Sequence, residues 1–94
     1  MTTFIMFGKY TPEAIDKISA MRTESATAII YDCGGVLKAA YALLGETDII
    51  ALVEFPSIEQ AFKASVELSR HLDITFTTSP AVSMDEFDKL TTGK

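Results

Sequence analysis

The sequence predicts a single α+β domain with the element order βαββαβ, and three observations carry that expectation. Short runs rich in branched and aromatic residues alternate with longer stretches whose apolar residues recur every three or four positions. Turn and cap residues fall between them, at Thr11-Pro12, Gly34-Gly35, Gly45-Glu46 and Pro56-Ser57. The 94-residue length fits one domain, and 48% hydrophobic against 22% charged residues is the composition of a chain that folds.

Residues 3–10 (TFIMFGKY) read as a first strand. Thr11 then supplies an N-cap and Pro12 the first helical position. From Glu13 onward Ile15, Ile18, Met21, Ile29 and Cys33 keep helical spacing up to a stop at Gly34-Gly35, which predicts one long helix kinked near residues 22–25. Residues 36–44 and 48–55 are two further strands, joined by Gly45-Glu46 as a tight two-residue turn. That turn would put Lys38, Ala40, Ala42, Ala51 and Val53 on one face of the hairpin, and Tyr41, Ile50, Leu52 and Glu54 on the other. Pro56 ends the strand, and Ser57 with Gln60 forms a capping box. Ala61, Phe62, Val66 and Leu72 then give a second helix, to about residue 72, one apolar face. Residues 74–80 complete the strands, residues 83–90 read as a short capped helix, and the tail from about residue 91 is polar.

Strand, helix, two hairpin strands, helix, strand is the order of the ferredoxin-like fold, a four-stranded antiparallel sheet with two helices on one face. The other face is a problem for a lone chain, because Phe4, Ile5, Met6 and Phe7, like Ile49 to Val53, put apolar groups on both sides of the sheet. A second copy laying its sheet on this one would bury both, so a homodimer or higher homo-oligomer, a dimeric α/β barrel, is the expected state.

Composition also excludes function classes. A net charge of −5 without a Lys/Arg cluster argues against nucleic acid as a partner. The longest apolar runs fall well short of the about 20 residues that cross a bilayer, and the N-terminus lacks a basic start, so no membrane partner is expected and the location reads as cytoplasmic. Cys33 is the lone cysteine and reads as a buried structural thiol; His71 is the lone histidine and has no helical metal-binding spacing around it. Neither a GxGxxG nor a P-loop follows any strand, so neither metal nor organic cofactor is expected.

Gly8-Lys9-Tyr10-Thr11, Gly45-Glu46-Thr47-Asp48, Glu54-Phe55-Pro56 and the acidic ending Met84-Asp85-Glu86-Phe87, in this order and spacing, resemble the GYD domain family across residues 3–90. Glycine and aspartate of the namesake tripeptide match Gly45 and Asp48, while Thr47 replaces its tyrosine, so any role of that tyrosine has no counterpart assigned here. The resemblance implies a dimeric α/β barrel related in shape to small monooxygenases, lactone isomerases and ligand-sensing regulatory domains. It implies no particular activity.

In the expected topology the end of the first strand, the start of the third and the end of the second helix share one edge of the sheet. Lys9, Tyr10, Asp48 and His71 should meet there, an amine, a phenol, a carboxylate and an imidazole suited to proton transfer. Tyr10, Asp48 and His71 are thus the candidate catalytic residues. The plainer reading is a surface Lys9–Asp48 pair worth under about 1 kcal/mol and a solvated His71 at a helix C-terminus. Arg22 falls on the sheet side of the first helix, where a charge needs a partner, a route to water or a cavity to guard. The small residues of the hairpin's alanine face either admit a helix closely or line a pocket, and Tyr41 would border a pocket only if that pocket lay on the opposite face. Lys9, Arg22 and Tyr41 are the candidate ligand-binding residues. Binding of a small, largely apolar organic ligand is the function expected first; a cofactor-independent monooxygenase or isomerase and a regulatory or structural oligomerisation module are the alternatives.

Overall fold

Alternation along the first strand sets up the two faces of the sheet. In β1 (Thr2–Tyr10), Phe4, Met6 and Gly8 are buried while Phe7 and Lys9 are exposed, the period of two expected when one face carries helices. The computed structural model describes residues 1–92. With β2 (Val36–Ala42), β3 (Ile49–Phe55) and β4 (Ile74–Pro80), β1 forms one antiparallel sheet in the order β2-β3-β1-β4, the ferredoxin-like order. Among the described residues no helix is long and apolar enough to cross a membrane.

The hairpin follows the register that a Gly45-Glu46 turn demands: Ala42 faces Ile49, Ala40 faces Ala51 and Ala39 faces Leu52. Ala40, Ala42, Ala51 and Val53 therefore lie on the helix side, and Tyr41, Ile50 and Leu52 on the open side. Two details differ from expectation. Pairing jumps from Leu37–Val53 to Ala39–Leu52, so Lys38 is the extra residue of a β-bulge and Leu37 takes its place on the helix side. The turn is also wider than two residues, because pairing stops at Ala42–Ile49 and one further hydrogen bond, from the Leu43 N–H to the Asp48 carbonyl at 2.8 Å, closes the loop. Gly45 at its tip takes φ +140, a backbone region that favours glycine.

The expected single first helix is two helices. Thr11 caps α1 (Pro12–Ile15) by accepting the Ala14 N–H at 3.2 Å, but Ser19 accepts the Arg22 N–H at 3.3 Å and starts a new helix, α2 (Ala20–Asp32). The break at residues 16–19 resets the helical phase, so Ile15, Ile18 and Met21 are exposed, while Ala14, Ile30 and Cys33 reach the core. At the C-terminus the Gly34 N–H bonds the Tyr31 carbonyl and the Gly35 N–H bonds the Ile30 carbonyl, both at 2.9 Å, with Gly34 at φ +81. This is a Schellman closure, and it turns the chain into β2.

Ser57 caps α3 (Ile58–Leu72), whose buried face is Ala61, Ala64, Leu68 and Leu72. Phe62 and Val66, expected on that face, are 67% and 45% exposed, because the two alanines rather than the larger side chains let the helix approach the sheet. Ser65 and Thr78 hydroxyls join at 2.7 Å across that contact. A last helix, α4 (Met84–Thr92), is capped by Ser83 and buries no residue, leaving Met84, Phe87 and Leu90 exposed. Residues 91 and 92, expected in the polar tail, belong to this helix; the rest of the tail, Gly93 and Lys94, lies outside the described residues.

The core gathers Phe4, Met6, Val53 and Phe55 under α3, with the Phe4 and Phe55 rings edge to face at 5.8 Å between centroids. Cys33 is buried there, and burial pushes its thiol upward, with Lys63 opposing and Glu67 and Asp32 adding to the rise. The thiol of the unfolded chain ionises first, so above about pH 8.5 the unfolded state binds fewer protons and stability falls as pH rises. Urea unfolding at pH 7.5 and 9.5 is expected to show this fall in the native chain and a smaller one in Cys33→Ala.

Candidate functional site

Small residues leave space between α2 and the sheet. Ala40, Ala42 and Ala51 form the floor with Met6 and Ile49, Ala26 and Ile30 the roof, and Leu68 and Leu72 of α3 one wall of a cavity of about 270 Å³. That volume lies near the lower end of small-molecule sites, roughly 300 to 1,000 Å³. The polar groups on its lining are few: Tyr10, Ser19, Arg22, Thr23, Thr27 and Tyr41, with no Asp or Glu. Alanine on the hairpin therefore makes room here rather than admitting the helix closely.

Arg22 projects from the first turn of α2 to the edge of this cavity, and its Nη2 donates to the carbonyl of Leu72, the last residue of α3. The guanidinium thereby meets the negative end of the α3 dipole. Among the described residues no carboxylate lies within ion-pair distance of it, the ion pairs being Arg70–Glu67 and His71–Glu67.

The expected proton-transfer group is brought together in part. The Asp48 carboxylate accepts the Tyr10 N–H at 2.9 Å, while the Asp48 N–H donates to the Gly8 carbonyl at 2.9 Å, so Asp48 fastens the end of β1 to the start of β3. Asp48→Ala leaves that amide without its acceptor and is expected to lower the unfolding free energy by about 1 to 2 kcal/mol. Chemical denaturation measures the loss, and Asp48→Asn, which keeps a carbonyl acceptor, should recover part of it. Lys9 points to the other side of the sheet and, with Tyr10, lines a shallow groove beside Thr47, Thr75 and Thr77; it forms no ion pair with Asp48 among the described residues. His71 is solvated, as its place on the outer side of α3 implies, with Nε2 3.1 Å from Glu67 Oε2. It lines neither the cavity nor the groove. Tyr41 faces Ile50 on the open side of the sheet and borders the cavity at the β2 edge.

Ser19, Thr23, Ala26 and Thr27 were not legible as lining residues under a continuous first helix. They become so once the helix starts at the Ser19 cap, since positions 19, 23, 26, 27 and 30 then form one stripe. Among the described residues no group of three His, Cys, Asp or Glu side chains is placed to hold a metal ion.

A four-stranded antiparallel sheet in this order, with helices on one face, is a ferredoxin-like α+β domain, here with an apolar cavity beneath α2. The chain belongs to the GYD domain family, whose profile matches residues 4–91, the stretch that carries the motifs around Tyr10, Asp48 and Phe55. Its fold is similar to that in the crystal structure of the Mycobacterium tuberculosis leucine response regulatory protein (LrpA), with a TM-score of 0.58, 10% identity, 87% of this chain covered and 51% of that one. The chain thus spans about half the length of that protein. No curated protein matches the sequence.

Proposed function

We propose that this protein binds a small, largely apolar organic molecule in the cavity between α2 and the sheet, and that it does so as a homodimer whose sheets face one another. The observation that carries the reading is the cavity itself, about 270 Å³ with apolar walls and few polar groups. The space is open to solvent on one side, where Ala40, Tyr41 and Ala42 are exposed, which gives a small molecule a way in. The dimer is supported by the open side of the sheet, where Phe7 and Leu52 are 38% and 39% exposed beside the half-buried Ile5 and Ile50. The similar solved protein is named for a response to leucine, a small and partly apolar molecule, which agrees with this reading through the fold alone. A reducing, cytoplasmic setting suits the lone buried thiol.

A neutral fluorescent probe, N-phenyl-1-naphthylamine, tests the cavity. Its emission is expected to rise with the native chain and to stay dark with Ala51→Leu, which puts three more carbons into the cavity floor. The space absorbs those carbons, so Ala51→Leu should stay within about 1 kcal/mol of the parent stability where the same change in a packed core costs more. Equal brightening in both chains, or none in the native one, contradicts the assignment.

A further inference from the structure

Resting on that reading, we infer that the ligand is an organic acid: an anionic carboxylate head held by Arg22 and a short apolar body lying over the alanine floor. Three features point the same way. Arg22 is the lone charged residue on the cavity lining, in a chain whose net charge is −5. An arginine in an acidic protein has carboxylates in plenty to pair with, yet no Asp or Glu pairs with this one among the described residues. The Leu72 carbonyl engages Nη2 and fixes the side chain, while the planar fork of the guanidinium carries further N–H donors. Such a fork matches a carboxylate in two parallel hydrogen bonds, and an apolar setting strengthens them.

The rest of the lining agrees in chemistry. Ser19, three residues before Arg22, shares its side of the helix, and Tyr10 adds a phenol to the lining. Away from Arg22 the floor is Met6, Ala40, Ile49 and Ala51, and the polar groups there, Tyr41 at the β2 edge and Thr27, whose hydroxyl donates to the Thr23 carbonyl, carry no charge. A cationic ligand would be repelled by Arg22 with no carboxylate on the lining to balance it, and a neutral one would gain no charge-assisted hydrogen bond.

The test compares three probes of one chain length at pH 7: octanoate, 1-octanol and octylamine. Calorimetry or thermal shift is expected to rank octanoate at least about tenfold tighter than octanol, with octylamine weakest. In Arg22→Gln the advantage of octanoate over octanol should disappear while octanol binding persists. Should that variant fail to fold, the ranking on the native chain decides alone, and Ala51→Leu must weaken all three probes together. Equal affinity of octanoate and octanol for the native chain overturns the acid assignment and leaves the apolar cavity standing. No binding by any of the three overturns the acid and the cavity reading alike.

Discussion

Gly35→Ala is expected to lower the unfolding free energy by about 3 kcal/mol and the melting temperature by roughly 12 to 24 °C. A Cβ at Gly35 would stand 2.5 Å from Phe55 Cε1, 2.7 Å from Cδ1 and 3.1 Å from the Glu54 carbonyl. The Phe55 ring is fully buried and held edge-on by Phe4, so it has nowhere to move without opening the core. Nor can the backbone of residue 35 retreat, because its N–H closes the end of α2 on the Ile30 carbonyl. Gly34 is the internal control. Its φ of +81 disfavours a side chain, but a Cβ there meets only Pro56, at 3.4 Å, so Gly34→Ala should cost about 1 kcal/mol. Calorimetry that ranks Gly34→Ala as the worse substitution, or finds Gly35→Ala nearly neutral, contradicts this account of how α2 passes into β2.

Leu52→Asp is expected to separate the proposed dimer into folded monomers. Leu52 lies on the open side of the sheet between Ile5 of β1 and Ala39 of β2, away from the helix-side core. Two-fold symmetry would place the new carboxylate in the interface twice. An uncompensated buried charge costs several kcal/mol, which raises the dissociation constant at least about a thousandfold. Sedimentation should show the native chain as a dimer and the variant as a monomer at the same concentration, with circular dichroism unchanged. A variant that stays dimeric removes the sheet face from consideration as the interface.

How much of this was legible in the sequence follows from which signals are local. The strands, the hairpin register from Ala39 to Ala42, the caps at Thr11, Ser57 and Ser83 and the glycine closure of α2 all rest on residues within a few positions of one another, and they form where the residues put them. The break at residues 16–19 is hidden in the sequence because Ile15, Ile18 and Met21 keep apolar spacing across it; Ser19 is the signal, and it competes with that spacing. On α3, hydrophobicity points Phe62 and Val66 inward, whereas the distance between helix and sheet selects Ala61 and Ala64. The bulge at Lys38 depends on how β2 meets β3, which no local pattern encodes.

The site was legible in pieces. Arg22 on the sheet side and the alanine face of the hairpin are both there, and the cavity joins them. That union depends on α2 standing off the sheet, a tertiary fact. The edge cluster came from topology alone: Tyr10 and Asp48 do meet, but through a backbone amide, and His71 turns to Glu67 one helical turn away.

Native mass spectrometry of the freshly purified protein tests the central claim most directly, because it counts chains and weighs what they hold. The expected species is two chains carrying the added mass of a small organic molecule, which is released on denaturation and ionises as an acid. Bare single chains at every concentration would contradict both the facing sheets and the occupied cavity.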